Sequence, residues 1–239
     1  ANNEIGTIQP IREISDQIKA LHRNPNAPII VHTDAVQAPG FLSVDVNELG
    51  VDMLSLSAHK FRGPKGVGIL YIRRNSPFFP VQMGGSQERD RRAGTENVAG
   101  IVGASVALEI AQRQRDVVGK YTKSLRDLLI EGILERIQGA RLNGHPENRM
   151  PNNANFSIKG VDAEALLIGL DLAGIAASSG SACTAGSLDP SHVLLALGQD
   201  ERSARSSLRL TLGADNTKED VEYVIDTTSA LVKRLRSLN

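Results

Sequence analysis

The stretch PIIVHTDAVQAPGFLSVDVNELGVDMLSLSAHKFRGPKGVGILYIR, residues 28–73, decides the fold. A short apolar run, IIVHTDA, carries Asp34 at its end, and after a turn at Pro39-Gly40 a second run, MLSLS, leads to Lys60. A third, GVGILYI, follows the glycine-rich GPKG. Each run has the length and β-branched or aliphatic content of a buried strand. Asp34 and Lys60 both fall where a strand gives way to a loop. Ligands on α/β sheets bind beyond the carboxyl ends of the strands, so these two side chains are candidates for chemistry.

Lys60 is a candidate reactive amine. Ser57 and His59 beside it are donors suited to a phosphate, and Gly66 and Gly68 permit close backbone approach. An amine, an acid on an earlier strand and a phosphate cup are what pyridoxal 5'-phosphate requires. The amine links to the aldehyde, the acid keeps the pyridine nitrogen protonated, and the donors hold the phosphate. A lone lysine after a strand is ordinarily just solvated; the company Lys60 keeps favours the chemical reading.

Around this stretch the chain alternates helix and strand. Ile11, Ile14, Ile18 and Leu21 recur at helical spacing, so residues 10–23 read as an amphipathic helix with Pro10 in its first turn. HRNPNAP reads as a loop. The alternation predicts an α/β domain with a largely parallel sheet. From 75 to 97 the pattern dissolves into NSPFFPVQMGGSQERDRRAGTEN, a long polar loop of the kind that is usually functional. A helical region begins near Glu96, and Val118, Tyr121, Leu125, Leu128 and Leu129 keep its period further on. The passage between domains is placed at about residue 110, giving a partial cofactor-binding domain over 1–110 and a small C-terminal domain over 111–239. The second domain reads as strand ANFSI, helix DAEALLIGLDLAG, a polar loop, helix PSHVLLALG and strand SSLRLTLG. A last helix starts at the capping signal Thr217-Lys218-Glu219-Asp220 and presents Val221, Val224, Ile225, Thr228, Leu231, Val232 and Leu235 to the core.

Composition removes several function classes. Lys+Arg and Asp+Glu both number 27, so there is no charge-based case for nucleic acid or an anionic membrane. With three Tyr, five Phe and no Trp, stacking surfaces for bases are scarce. No apolar run is long enough to span a bilayer, and ANNEIG is no signal peptide. One cysteine forms no internal disulfide, which makes a reducing compartment the natural reading.

That cysteine, Cys183, lies in SSGSACTAGS. A free cysteine is most often a small buried hydrophobe, but its neighbours here are Ser, Gly, Ala and Thr. An exposed thiol on a polar loop suits a nucleophile that receives a group and delivers it elsewhere. In SSLRLTLG, Arg209 offers a planar fork able to take a carboxylate in two hydrogen bonds. Its bland reading is an arginine on an edge strand in solvent.

The motifs HTDAVQ, SLSAHKFRGPKGVGILYIRR, GGSQERDRRAGTENVAGIVG and SSGSACTAGSLDPSHVLLALG, in that order, resemble the cysteine desulfurases, most closely their nitrogen-fixation and iron–sulfur-cluster branch. The likeness runs over essentially the whole chain. It implies a pyridoxal-phosphate fold-type I enzyme, aspartate aminotransferase-like, with a mostly parallel large-domain sheet and an α+β small domain. By resemblance Asp34 pairs with the ring nitrogen, Gln37 reaches the phenolic oxygen, Ser57 and His59 hold the phosphate, and Lys60 binds the cofactor covalently. Asn3 of NNEIG lies beside ring and substrate, although an Asn pair is also ordinary turn chemistry. Thr95 binds the phosphate of the partner subunit's cofactor, which implies a homodimer.

The implied substrate is L-cysteine, its carboxylate held by Arg209 and Asn3, with Lys60 and Cys183 as catalytic residues. The sulfur passes as a Cys183 persulfide to an acceptor, an iron–sulfur scaffold by resemblance. No metal of the chain's own is implied, only a contact of Cys183 with a cluster on that scaffold. The setting implied is the cytoplasm, or the mitochondrial matrix in a eukaryote. Full-length members carry a further segment in front, with a stacking histidine and a phosphate-seating turn that do not occur here. Ala58 stands where many members have Gly, Thr33 where many have Val, and the loop LHRNPNAPII is longer than in some. Two other readings stand beside it: a related enzyme such as a selenocysteine lyase or class V aminotransferase, which would share the Asp34 and Lys60 core, and, from a different class, a non-catalytic fragment that binds a partner.

Overall fold

The computed structural model describes residues 1–21, 29–180 and 190–238. The loop expected at HRNPNAP and Cys183 itself both lie outside them. The chain forms two compact units, Pro10–Asp116 and a second made of Ala1–Gln9 with Val117–Asn239.

In the Pro10–Asp116 unit a three-stranded sheet has the order β1 (His32–Asp34), β2 (Met53–Ser57), β3 (Gly68–Ile72). β1 and β2 are parallel and β2 and β3 antiparallel. A largely parallel sheet is the sequence expectation, and mixed pairing is what these three strands form. The reason is the connection. Between β1 and β2 the chain crosses over through the short helix α2 (Val46–Leu49), whereas β2 and β3 are joined only by residues 58–67, which hold the single 3-10 turn Ala58–Phe61 and are too few for a parallel return. Helix α1 (Ile11–Leu21) occupies the predicted stretch. One sheet face is apolar: Val31, Leu54, Leu56, Phe61 and Val67 pack with Val51, Ala58 and Ala104. Thr33 is buried with them, while His32 and Asp34 are exposed.

Helix α3 (Val98–Arg136) runs unbroken for 39 residues, and the division between units falls inside it at Asp116/Val117. The apolar residues on its first turns, Val98, Ile101, Val102 and Val106, are exposed; the small Ala104, Ala107 and Ala111 face the core of the Pro10–Asp116 unit.

The second unit has an antiparallel sheet in the order β4 (Ala140–Leu142), β5 (Asn153–Ile158), β6 (Ser207–Thr211). Helices α4 (Ala163–Leu172) and α7 (Lys218–Arg236) complete its core with the last turns of α3; Phe156, Leu129, Ile133, Leu166, Leu170, Leu208, Val221, Ile225 and Val232 are the buried members. Two glycines let the helices approach closely: a Cβ on Gly132 would stand 2.5 Å from Ile225, and one on Gly169 would stand 2.9 Å from Leu231. Short helices α5 (His192–Ala196) and α6 (Glu201–Arg205) precede β6. The capping box at Thr217 is present, with Asp220 N–H donating to Thr217 Oγ1 and Thr217 N–H to Asp220 Oδ2.

Residues 1–9 pack with this second unit although they stand at the other end of the chain. Thr7 bridges Arg149, Met150 N–H donates to Gly6 O, and the buried Arg149 Nη2 donates to Ile5 O and Asn143 O. Burial, and then the neighbouring Arg126 charge, bring the Arg149 guanidinium down to about 10. Gly6 is required in the turn: its φ is 74°, and a Cβ would meet the Asn153 side chain at 2.8 Å.

Candidate active site

The candidate residues divide between the two units. In the Pro10–Asp116 unit they gather at the carboxyl end of the parallel pair. β1 and β2 run in register, His32 with Met53, Thr33 with Leu54 and Asp34 with Ser55, so both strands end at the same edge. Because side chains alternate, His32, Asp34, Ser55 and Ser57 share the face opposite the apolar core. His32 Nε2 and Ser55 Oγ share a 2.7 Å hydrogen bond on it.

Asp34 is exposed, and its Oδ1 accepts the Val36 N–H at 2.9 Å. That contact, an Asx-turn, orients the carboxylate. Gln37 lies in the turn that follows, half-buried. β2 ends at Ser57, and the chain enters a 3-10 turn, Ala58–Phe61, with His59 and Lys60 exposed and Ala58 and Phe61 buried. Ser57 Oγ and His59 Nδ1 are hydrogen-bonded at 2.9 Å. The turn closes on Arg62, whose left-handed φ of 65° is uncommon for a non-glycine residue, and Gly63 N–H donates to Ala58 O. A Cβ on Gly63 would stand 2.9 Å from Ala58 O and 3.2 Å from Ala107, so the packing of this turn requires glycine at 63. Gly66 is needed for its φ of 77° instead.

Thr95 lies exposed near the end of the 75–97 loop. The loop is pinned by Ala93 N–H to Gln82 O and by Gly94 N–H to Gln87 Oε1, and it carries three successive left-handed residues, Glu88, Arg89 and Asp90.

In the second unit the Asn pair splits its work. Asn2 does the turn chemistry, its Oδ1 accepting the N–H groups of Glu4 and Ile5. Asn3 contributes its carbonyl, which accepts Arg209 Nη1–H at 3.0 Å. Arg209 is therefore not a solvated edge arginine. Its backbone bridges Ser178 in both directions, and burial pushes its guanidinium down from the ordinary value while the charge of Glu4 opposes that. Glu4, absent from the sequence-derived candidates, is 2% exposed, and its Oε2 accepts Ser191 Oγ–H at 2.5 Å. Nothing in NNEIG marks it, because the serine that pairs with it lies 187 positions away.

A family model described as Aminotransferase class-V matches residues 1–224. The chain belongs to the aminotransferase class-V family. This class-V chain is 49% identical to a cysteine desulfurase IscS of Dictyoglomus turgidum and 49% identical to one of Methanosarcina thermophila, in each case over all of its own length. It covers 59% and 57% of those relatives, so it spans a little over half of their length. Among solved structures it is similar to a NifS-like protein, with a TM-score of 0.86 and 38% identity over 98% of this chain and 60% of that one. SspA, solved in complex with cysteine, matches with a TM-score of 0.68 and 33% identity over 91% of this chain and 58% of that one. These class-V likenesses show the pyridoxal-phosphate fold-type I architecture, and enzymes of the family depend on that cofactor. No helix among the described residues is long and apolar enough to cross a membrane.

Proposed function

We propose that the chain carries the lysine and the cysteine of a cysteine desulfurase, acting with pyridoxal 5'-phosphate on L-cysteine. What supports this most directly is the register of Asp34 with Ser55: it puts an oriented carboxylate at the same sheet edge from which the Lys60 turn departs. The donor set there fits the cofactor's chemistry. Asp34 would hold the protonated ring nitrogen and Gln37 the phenolic oxygen. Ser57 and His59 would donate to the phosphate, and Lys60 would bind the aldehyde carbon.

When bound, the cofactor supplies an electron sink for the α-carbon. The rest is done by side chains. Arg209 and Asn3 hold the substrate carboxylate, a planar fork matched to two oxygens. Lys60 takes the α-proton as a free amine and returns a proton later. Cys183 thiolate attacks the substrate sulfur: an S–S bond forms, the substrate Cβ–S bond breaks, and its electron pair is protonated at Cβ. Cysteine and one thiol thus give alanine and a persulfide, with no outside oxidant. The persulfide passes to an acceptor protein, an iron–sulfur scaffold in keeping with the relatives named IscS. A homodimer in which Thr95 meets the phosphate of the partner subunit's cofactor, working in the cytoplasm or the mitochondrial matrix, completes the reading. The relatives' names favour it over a selenocysteine lyase or an aminotransferase.

The test uses two variants of the protein loaded with cofactor. Lys60→Ala should abolish the covalent attachment that borohydride makes permanent. Cys183→Ser should keep the attachment and lose persulfide. An undiminished attachment in Lys60→Ala sinks the assignment.

A further inference from the structure

Glu4 is a buried acid that the proposed reaction does not use. Such a carboxylate is costly to bury unless hydrogen bonds compensate. Its compensation is specific. Oε2 accepts from Ser191 Oγ, and Ser191 also caps α5 by accepting the Leu194 N–H. The Glu4 carbonyl accepts the side-chain amides of Asn153 and Asn155 at 3.2 and 3.1 Å, both buried on β5. A Cβ on Gly180 would stand 3.5 Å from Oε2. Glu4 is therefore hydrogen-bonded to Ser191, which follows the segment carrying Cys183, and its carboxylate lies near Gly180, which precedes that segment. Ser178, two residues ahead of Gly180, is bridged to the Arg209 backbone, and Arg209 is held in turn by Asn3 O.

We infer that Glu4 is a positioning residue whose carboxylate fastens the Ser191 end of the Cys183-bearing segment to the rigid β5 strand, while the same Asn2–Gly6 turn seats Arg209. Ser191 and the Arg209 fork are then both held by one turn. This rests on the desulfurase reading for its meaning in catalysis, and on the contacts above for its existence.

Cys183 is the only cysteine, so its alkylation reports the fastening without cofactor or substrate. The rate of iodoacetamide labelling at the Cys183 peptide is measured for Ser191→Ala, Glu4→Ala and Glu4→Gln, with thermal melts and circular dichroism alongside. Ser191→Ala and Glu4→Ala should change labelling several-fold in the same direction. Glu4→Gln, which keeps an acceptor for Ser191, should stay within twofold of the parent. In cysteine turnover the first two should lower kcat more than they raise KM. Labelling within twofold of the parent in Ser191→Ala, with a native melt, overturns the inference. Altered labelling in a protein that releases no sulfur from cysteine supports the fastening and overturns the desulfurase reading instead.

Discussion

Asp34 and Ser55 are register partners on adjacent parallel strands, and the side chains of both stand on the face of the sheet opposite its apolar core. Hydrophobic alternation therefore does two jobs. Thr33, Leu54 and Leu56 anchor the strands, and the same alternation turns Asp34 and Ser57 outward at the end where a ligand is received.

Asp34→Asn separates charge from shape. Asparagine still accepts the Val36 N–H but cannot keep a pyridine nitrogen protonated. The variant should fold with an unchanged melt, since the residue is exposed. It should lose about 10²-fold or more in cysteine turnover, the scale on which a proton-holding group acts. Steady-state kinetics beside a thermal melt decide this, and turnover within a few-fold of the parent would remove Asp34 from the chemistry.

Phe156 tests the core of the second unit. It is fully buried on β5 among Leu129, Ile133, Leu166 and Leu208. Phe156→Ala should cost about 3–5 kcal/mol through lost transfer energy and the cavity left behind. Urea denaturation followed by circular dichroism measures it, and a loss below about 1 kcal/mol would mean that the site collapses to fill the gap.

Asp200 gives a pH dependence with a definite sign. It caps α6 by accepting the Ser203 N–H at 2.7 Å, and this bond, with the Ser203 hydroxyl, holds its carboxyl below the ordinary 3.8. A group whose folded pKa is depressed stabilises the fold above the unfolded pKa, and that contribution is lost as pH falls through the folded value. Stability should therefore drop below pH 3.8 with a component that Asp200→Asn removes, read from thermal melts of both proteins between neutral and acid pH. An identical pH slope in the variant would refute the assignment.

The exposed apolar residues of α3 show where pattern reading stops. Val98, Ile101, Val102 and Val106 have the spacing of a core stripe, yet Val98 is 66% exposed and the core is met by Ala104, Ala107 and Ala111 instead. Periodicity identifies a helix and its faces; it does not say which face the neighbouring layer covers. Strand β4 and helices α2 and α6 went unread for a different reason. Each is three to five residues long, too short for its period to repeat often enough to be recognised.

The identity of the longer strands and helices, the placing of Asp34 and Lys60 at strand ends, the Thr217 cap and the core face of α7 follow from residue order alone, because periodicity and capping are local effects acting over a few residues. Only the tertiary structure decided that β3 returns antiparallel, that Ala1–Gln9 packs with the distant C-terminal unit, and that Glu4 is buried against Ser191, Asn153 and Asn155. The last two outcomes depend on which buried polar groups find partners far away in the chain, and a hydrogen bond across 187 positions leaves no period in the sequence to read.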